Sequence, residues 1–265
     1  MKGDFHIHTT YCDGTATPRQ MAQAAAAAGF YALGFSGHAC TPFDPGYCMS
    51  REGSLAYADE VRTLTAEYAG RMEILLGIEL DLFGDAAPFV PDYAIGSIHY
   101  VRAGEDYISV DNTPELLLRG IGERFGGDRL SFARAYFKQY EDLPRMPRVT
   151  IIGHFDLLTK FGFFDETDPA YQAAALEALE GLAGRGLLLE LNTGAMSRGY
   201  RRVPYPAAFL LRRWRELGER IILSGDAHSP AGLAYGFDDA ASLARDCGFR
   251  ERAFLTKQGV IMTEL

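Results

Sequence analysis

The chain has 265 residues, enough for one large domain or two small ones, and its 48% hydrophobic and 23% charged content is that of an ordinary globular protein. A formal charge of −9 argues against a general nucleic-acid binder but leaves room for a phosphorylated substrate, because bound metal ions would reverse the sign locally. No run approaches the roughly 20 apolar residues of a membrane span, and the first residues lack a signal-peptide pattern, so a cytoplasmic protein is expected.

Short apolar runs with strand character recur in chain order: "DFHIH" (4–8), "ALGFSG" (32–37), "EILLGIEL" (73–80), "YAIGSIH" (93–99), "VTIIGH" (149–154), "GLLLELNT" (186–193) and "RIILSGDAH" (220–228). Helical stretches separate them. "TPRQMAQAAAAAG" has Thr17 as N-cap, Pro18 in the first turn and Gly29 as its stop; "SLAYADEVRTLTAEYAG" runs from Ser54 to Gly70. The long connection from about 106 to 148 holds one or two helices, including "LSFARAYFKQYEDL". "DPAYQAAALEALEGLAGRG" is capped by Asp168, and "YPAAFLLRRWRELG" ends at Gly218 with Trp214 packed inward. Strand alternating with helix implies an α/β fold of parallel strands joined by crossovers, either an open doubly wound sheet or a barrel close to the eight-stranded one. With no internal repeat, low-complexity tract or flexible linker, residues 1–265 read as a single domain. The four cysteines show no C-x-x-C spacing and read as reduced, buried thiols, with Cys12 and Cys40 lying beside candidate ligands.

The chemistry lies at the strand ends. His6 and His8 alternate onto one face of the first run; a solvent-facing pair is the plain alternative for an isolated H-x-H. The later runs end on His38, Glu79, His99, His154 and the pair Asp226 and His228, so that every one of the six histidines sits at a strand terminus. Only the sixth run differs, offering Glu190 and Asn192. In a parallel barrel all these termini open on one face. Mixed imidazole and carboxylate donors suit Zn²⁺, Mn²⁺ or Fe rather than Ca²⁺ or Mg²⁺, and eight strong donors exceed what one ion with an open position needs; two or three ions fit better. Metal-assisted hydrolysis of a phosphoester is the reaction class that such a cluster supports.

"DFHIHTTYCDG", "GFSGHA", "LLGIELDL", "YAIGSIHYV", "IIGHFDLL", "LELNTGA" and "ILSGDAHSP" together resemble, in order and spacing, the motifs of the polymerase-and-histidinol-phosphatase (PHP) superfamily, and most closely its histidinol-phosphatase branch, over residues 3 to about 232. The resemblance implies a distorted seven-stranded TIM-like β/α barrel with three metal ions at the C-terminal face of the strands. His6, His8, Glu79 and Asp226 would bind one ion; Glu79 would bridge to a second held by His99 and His154; His38 and His228, with Asp13 nearby, would hold the third. Relatives commonly have Asp before the second-strand histidine where this chain has Gly37, a departure that bears on the third ion and leaves the other two alone.

The expected reaction is attack of a metal-bridging hydroxide on a phosphate monoester, with Glu79 and His99 around the nucleophile and Asp226 or a metal-bound water as proton donor to the leaving group. Arg198, in the loop after the sixth run, is the first choice for a phosphate clamp and Lys160 the second, a solvated surface charge being the plain alternative for each. The resemblance points to L-histidinol phosphate as substrate in histidine biosynthesis. Phosphotyrosine or a nucleotide phosphate is the alternative, and a non-catalytic metal-stabilised module a third reading. Asp44, Asp156 and Tyr205 are available to recognise the imidazole and ammonium, and the oligomeric state is not legible.

Overall fold

In the computed structural model, which describes all 265 residues, each of the seven expected strands is present but most are shorter than their apolar runs. The order is β1 (Gly3–Asp4), α1 (Pro18–Ala27), β2 (Ala32–Phe35), α2 (Arg51–Glu67), β3 (Glu73–Asp81), β4 (Tyr93–Ser97), β5 (Tyr100–Ala103), β6 (Asp106–Ser109), α3 (Pro114–Phe125), α4 (Arg129–Lys138) and β7 (Val149–Ile152). There follow α5 (Pro169–Glu180), β8 (Leu188–Asn192), a one-turn α6 (Gly194–Ser197), α7 (Ala208–Glu216), β9 (Arg220–Ser224), α8 (Phe237–Asp246), β10 (Glu251–Thr256) and β11 (Gly259–Glu264). The histidines sit just beyond the strand ends, where backbone is free of the ladder and can aim side chains; Glu79, inside β3, is the exception.

Local chemistry fixes the helix starts. Thr17 forms a capping box with Gln20 at the head of α1, and Asp168 caps α5 by accepting the Ala170 N–H. The second helix begins three residues before the expected Ser54, because Ser50 Oγ accepts the Gly53 N–H at 3.0 Å and makes Ser50 the N-cap. The 106–148 connection contains α3 and α4, and the antiparallel β5–β6 hairpin precedes them, a feature that the periodicity did not reveal.

The strands β1, β2, β3, β4, β7, β8 and β9 pair in parallel in that order, and the sheet continues through β10, parallel to β9, into the antiparallel β11. The curl closes at one end only. There Ile7 bridges Ala227: His8 N donates to Ala227 O and Ala227 N to His6 O, both at 2.9 Å. At the other end the β10–β11 hairpin lies beside β9, and Phe254 of β10 packs edge-on against Phe5 with centroids 5.0 Å apart. This is the distorted TIM-like barrel that the motifs imply, with a terminal hairpin that they do not announce.

Its interior is apolar at the floor, where Phe5, Leu75, Tyr93, Ile95, Ile151, Leu188, Ile222 and Phe254 form one buried cluster. The lone polar atom contributed by Tyr93 is satisfied, its hydroxyl lying 2.6 Å from Phe5 O. Helices cover the outer face, with Trp214 fully buried as expected.

Candidate active site

Four strands carry the same inward alternation from floor to mouth: Leu75–Gly77–Glu79–Asp81 on β3, Tyr93–Ile95–Ser97–His99 through β4, Leu188–Glu190–Asn192 on β8 and Ile222–Ser224–Asp226 through β9. The period of two therefore delivers a carboxylate or imidazole to the mouth each time the apolar layer ends. The first strand reaches the mouth differently. The Asp4 carboxylate accepts backbone N–H groups from His6, Gly225 and Ala234, at 3.3, 2.9 and 3.0 Å, and so pins the start of the His6–His8 segment against the end of β9.

All six histidines converge. Ring centroids run His6–His8 (5.1 Å), His8–His38 (4.3 Å), His38–His99 (5.3 Å), His99–His154 (5.1 Å) and His154–His6 (5.8 Å), a closed circuit of five imidazoles with His228 stacked on His8 at 4.1 Å. Glu79 is the hub. Its Oε2 lies 3.1 Å from His6 Nε2, 3.4 Å from His8 Nε2 and 3.0 Å from His38 Nδ1, while Oε1 faces His154 Nε2 at 3.0 Å and His99 Nε2 at 3.4 Å. Asp226 Oδ1 stands 3.2 Å from His8 Nε2, and Asp13 Oδ2 lies 3.1 Å from His228 Nε2 and 3.8 Å from His38 Nε2. Asp226 has φ = 47°, the left-handed conformation that Asp tolerates better than most residues, and a Cβ on Gly194 would meet its Oδ2 at 2.6 Å. Glycine at 194 is what leaves room for that carboxylate.

The outer nitrogens have their own partners. His6 Nδ1 donates to Glu190 Oε1 at 2.6 Å, and Glu190 Oε2 accepts the His154 backbone N–H at 2.8 Å. Asp81 Oδ2 lies 3.2 Å from His99 Nδ1, and Ser97 Oγ donates to Glu79 Oε1 at 2.6 Å. Carboxylates behind imidazoles orient the rings and turn Nε2 of His6 and His99 inward, toward Glu79. Glu190, the residue that breaks the strand-end pattern, thus stands behind the ligand candidates. Asp81 and Ser97 are same-face neighbours, two residues away, of Glu79 and His99; that period was the available signal.

The donors fall into four groups whose ligand atoms lie within 4.8 Å of one another: His8, Asp13, His38 and His228; His6, His8 and Asp226; His6, Glu79 and His154; His38, Glu79 and His99. The first two bring together residues expected at the third and the first ion positions, with His8 in both and Glu79 in neither. His99 and His154 both reach Glu79 Oε1, yet they group with different neighbours. His38 turns one nitrogen toward Glu79 and the other toward Asp13.

The fit to metal ions is tested by what is left unpaired. His6 Nε2, His8 Nε2 and Glu79 Oε2 are buried, face one another and have no hydrogen-bond partner, and His154 Nδ1 is likewise unpaired. Buried polar atoms without partners are costly and rare, and a cation among these three atoms would satisfy all of them. Burial alone would raise the Glu79 pKa, but His38, His6 and His99 hold it well below the usual range. Burial, with the charges of His228 and His38, pushes His8 down to about 3, so its imidazole is neutral and able to ligate. Cys12 touches the outer nitrogen of His8 (3.6 Å to Nδ1), its thiol pushed up to about 12 by burial, and Cys40 belongs to none of the donor groups. The place of a side chain at Gly37 is filled: an added Cβ would meet Cys12 Sγ and Met49 Cε at 3.3 Å.

Above the ring opens a cavity of about 290 Å³ whose lining includes Arg198, Lys160, Tyr47, Tyr100, Asp111 and Tyr200. Arg198 Nη2 donates to Asp226 Oδ2 at 3.0 Å; Lys160 Nζ donates to Asp111 O at 2.6 Å. Both cations named from sequence therefore line the mouth. Of the residues thought available for the imidazole and ammonium, none does. Asp156 and Tyr205 are buried behind the wall, where Asp156 accepts the Ala207 N–H, and Asp44 is engaged by the Tyr100 hydroxyl at 2.8 Å.

The PHP domain model matches residues 4–194. A Deinococcus radiodurans protein, "Probable histidinol-phosphatase", is 36% identical over 262 residues, covering 95% of both chains. The Bacillus subtilis histidinol-phosphatase is 24% identical, covering 89% of this chain and 97% of its own. Among solved structures, the histidinol phosphate phosphatase of Lactococcus lactis, crystallised with zinc, L-histidinol and phosphate, superposes with a TM-score of 0.72 at 24% identity over 98% of each chain. With its fold, its six converging histidines and these matches, the chain belongs to the PHP family, on the histidinol-phosphatase branch.

Proposed function

We propose that this protein hydrolyses L-histidinol phosphate to L-histidinol and inorganic phosphate, a late step of histidine biosynthesis, using two to three Zn, Mn or Fe ions. The observation that carries the proposal is the trio of buried, mutually facing and unpartnered ligand atoms on His6, His8 and Glu79. The names of the relatives and the ligands of the Lactococcus lactis structure support the substrate. In this reading the catalytic unit is the whole of residues 1–265 and the partner is a small phosphorylated molecule, not nucleic acid or membrane. No helix is long and apolar enough to cross a membrane. The four free cysteines fit a reducing, cytoplasmic setting.

His6, His8 and Asp226 would hold one ion with Glu79 Oε2. Glu79 Oε1, His99 and His154 would hold the second, and His38, His228 and Asp13 the third. Bound ions of this kind lower the pKa of water toward neutrality and neutralise phosphate oxygens. Glu190 and Asp81 keep the rings of His6 and His99 oriented. Arg198 clamps the phosphate at the mouth and Lys160 adds a second positive charge. Burial would raise the pKa of Asp226, but Arg198 and His6 hold it well below the usual range. The carboxylate is thus ionised and able to help hold a cation, and it stands beside the path by which a proton of the attacking water would reach the departing alkoxide as the ester P–O bond breaks and the new P–O bond forms.

A steady-state comparison of phosphomonoesters tests the assignment. The expected result is a kcat/KM for L-histidinol phosphate well above those for phosphotyrosine, nucleotide monophosphates and aryl phosphates. Equal values across the series would overturn the biosynthetic role while leaving a phosphatase.

A further inference from the structure

The cavity above the histidine ring is lined by one carboxylate that belongs to none of the donor groups, Asp111. It lies between β6 and α3, in the long connection where sequence periodicity offered only helices. Its position is fixed by backbone: the neighbouring Val110 N–H donates to His99 O at 2.9 Å, which couples the segment to a candidate ligand. Beside it stands Lys160, whose ammonium is already anchored by the Asp111 main-chain carbonyl at 2.6 Å and by the faces of Tyr200 and Phe161, with Nζ 4.9 and 5.4 Å from the ring centroids. Its contact with the Asp111 carboxylate is longer, 3.4 Å, and the Asp111 side chain remains 29% exposed. The lysine is held without that carboxylate, so the carboxylate keeps acceptor capacity facing the cavity.

We propose that the Asp111 carboxylate is the subsite for a substrate ammonium group, so that the cavity takes phosphate esters of amino alcohols, the phosphate lying toward Arg198 and Lys160 and the ammonium toward Asp111. The inference rests on the phosphatase reading above and adds the determinant of its substrate class. A phosphate with a nearby ammonium carries opposite charges a few bonds apart, and the wall opposes to it a cation and an anion on adjacent side chains. Ser109 and Asn112, which also line the cavity, supply neutral polar groups beside the carboxylate. An alkyl or aryl phosphate without a cation would leave Asp111 facing the substrate unpaired, a cost that selects against it.

The test compares L-histidinol phosphate with 3-(imidazol-4-yl)propyl phosphate, which keeps the ester and the imidazole and lacks the ammonium. Wild-type protein should favour the amino substrate in kcat/KM by about 10- to 100-fold, the range of one charge-assisted hydrogen bond. In Asp111→Asn that ratio should fall to within about threefold, mainly through KM, and Asp111→Glu should restore part of it. A ratio that stays at its wild-type value in Asp111→Asn would overturn the subsite, even if both activities drop together, because a group acting only through Lys160 would move both substrates alike. A wild-type protein that handles L-histidinol phosphate no better than an aryl phosphate would instead bring down the histidinol-phosphate reading and the subsite with it.

Discussion

The floor and the mouth of this barrel are built by the same strands and obey opposite physics. Along β3 the inward face passes from Leu75 to Glu79 in four residues, and along β8 from Leu188 to Glu190 in two. The floor buries hydrocarbon and gains stability from it. The mouth buries carboxylates and imidazoles, which gain nothing from leaving water unless something neutralises them. The difference teaches where stability and function are separable: floor substitutions should change folding free energy, and mouth substitutions should change metal content and turnover.

The sharpest break comes at the hub. Glu79→Gln keeps the shape of the side chain but removes the charge toward which five imidazoles turn. Hydrolysis should fall on the order of 10³-fold, the scale seen when a central electrostatic group is lost, with metal lost in elemental analysis. Phe254→Ala probes the other end. It should cost about 3–5 kcal/mol in chemical denaturation, while the folded protein keeps its metal stoichiometry and kcat. Loss of metal in the floor variant would mean that the two regions are not separable.

Asp156 sharpens the comparison, being a buried carboxylate outside the ion-holding groups. Burial pushes its pKa from 3.8 up to about 6, against the opposing pull of Arg201. Between pH 3.8 and 6 the folded chain therefore binds more protons here than the unfolded chain, so this residue's contribution to stability falls as pH rises through that window. Asp156→Asn should become more stable relative to wild type from pH 4 to pH 7, by at most about 3 kcal/mol. A pH-independent difference in denaturation midpoints would contradict this. Smaller effects belong to the carboxylates behind the rings. Glu190→Gln and Asp81→Asn should each weaken metal affinity by about 10- to 100-fold in competition with a chelator dye, with the fold intact by circular dichroism.

Much of this was legible in the sequence. Strands ending on histidine placed all six rings at one mouth, because parallel strands share a polarity and a barrel gathers their ends. Helix caps such as Thr17 and Asp168 were readable because capping is local chemistry. What escaped depends on contacts between distant segments. Asp4 staples residues 221 and 230 positions away, and no local pattern announces it. Glu190 reads as a departure from the strand-end rule until the fold sets it behind His6. The β10–β11 hairpin lies beyond the family's motifs, and the β5–β6 hairpin and Asp111 fall in a stretch where helical periodicity dominated the reading. Asp156 and Tyr205 were plausible substrate contacts by loop position, but folding turned them into the wall.

The central claim is that the ring around Glu79 exists to hold catalytic cations, and it is tested most directly by adding Zn²⁺ or Mn²⁺ stepwise to chelator-stripped protein while recording phosphate release from L-histidinol phosphate. The account predicts no turnover in the stripped protein, a rise with added metal, and a plateau at two to three equivalents per chain. Full turnover in the stripped protein, or metal uptake at that stoichiometry with no hydrolysis, would contradict it.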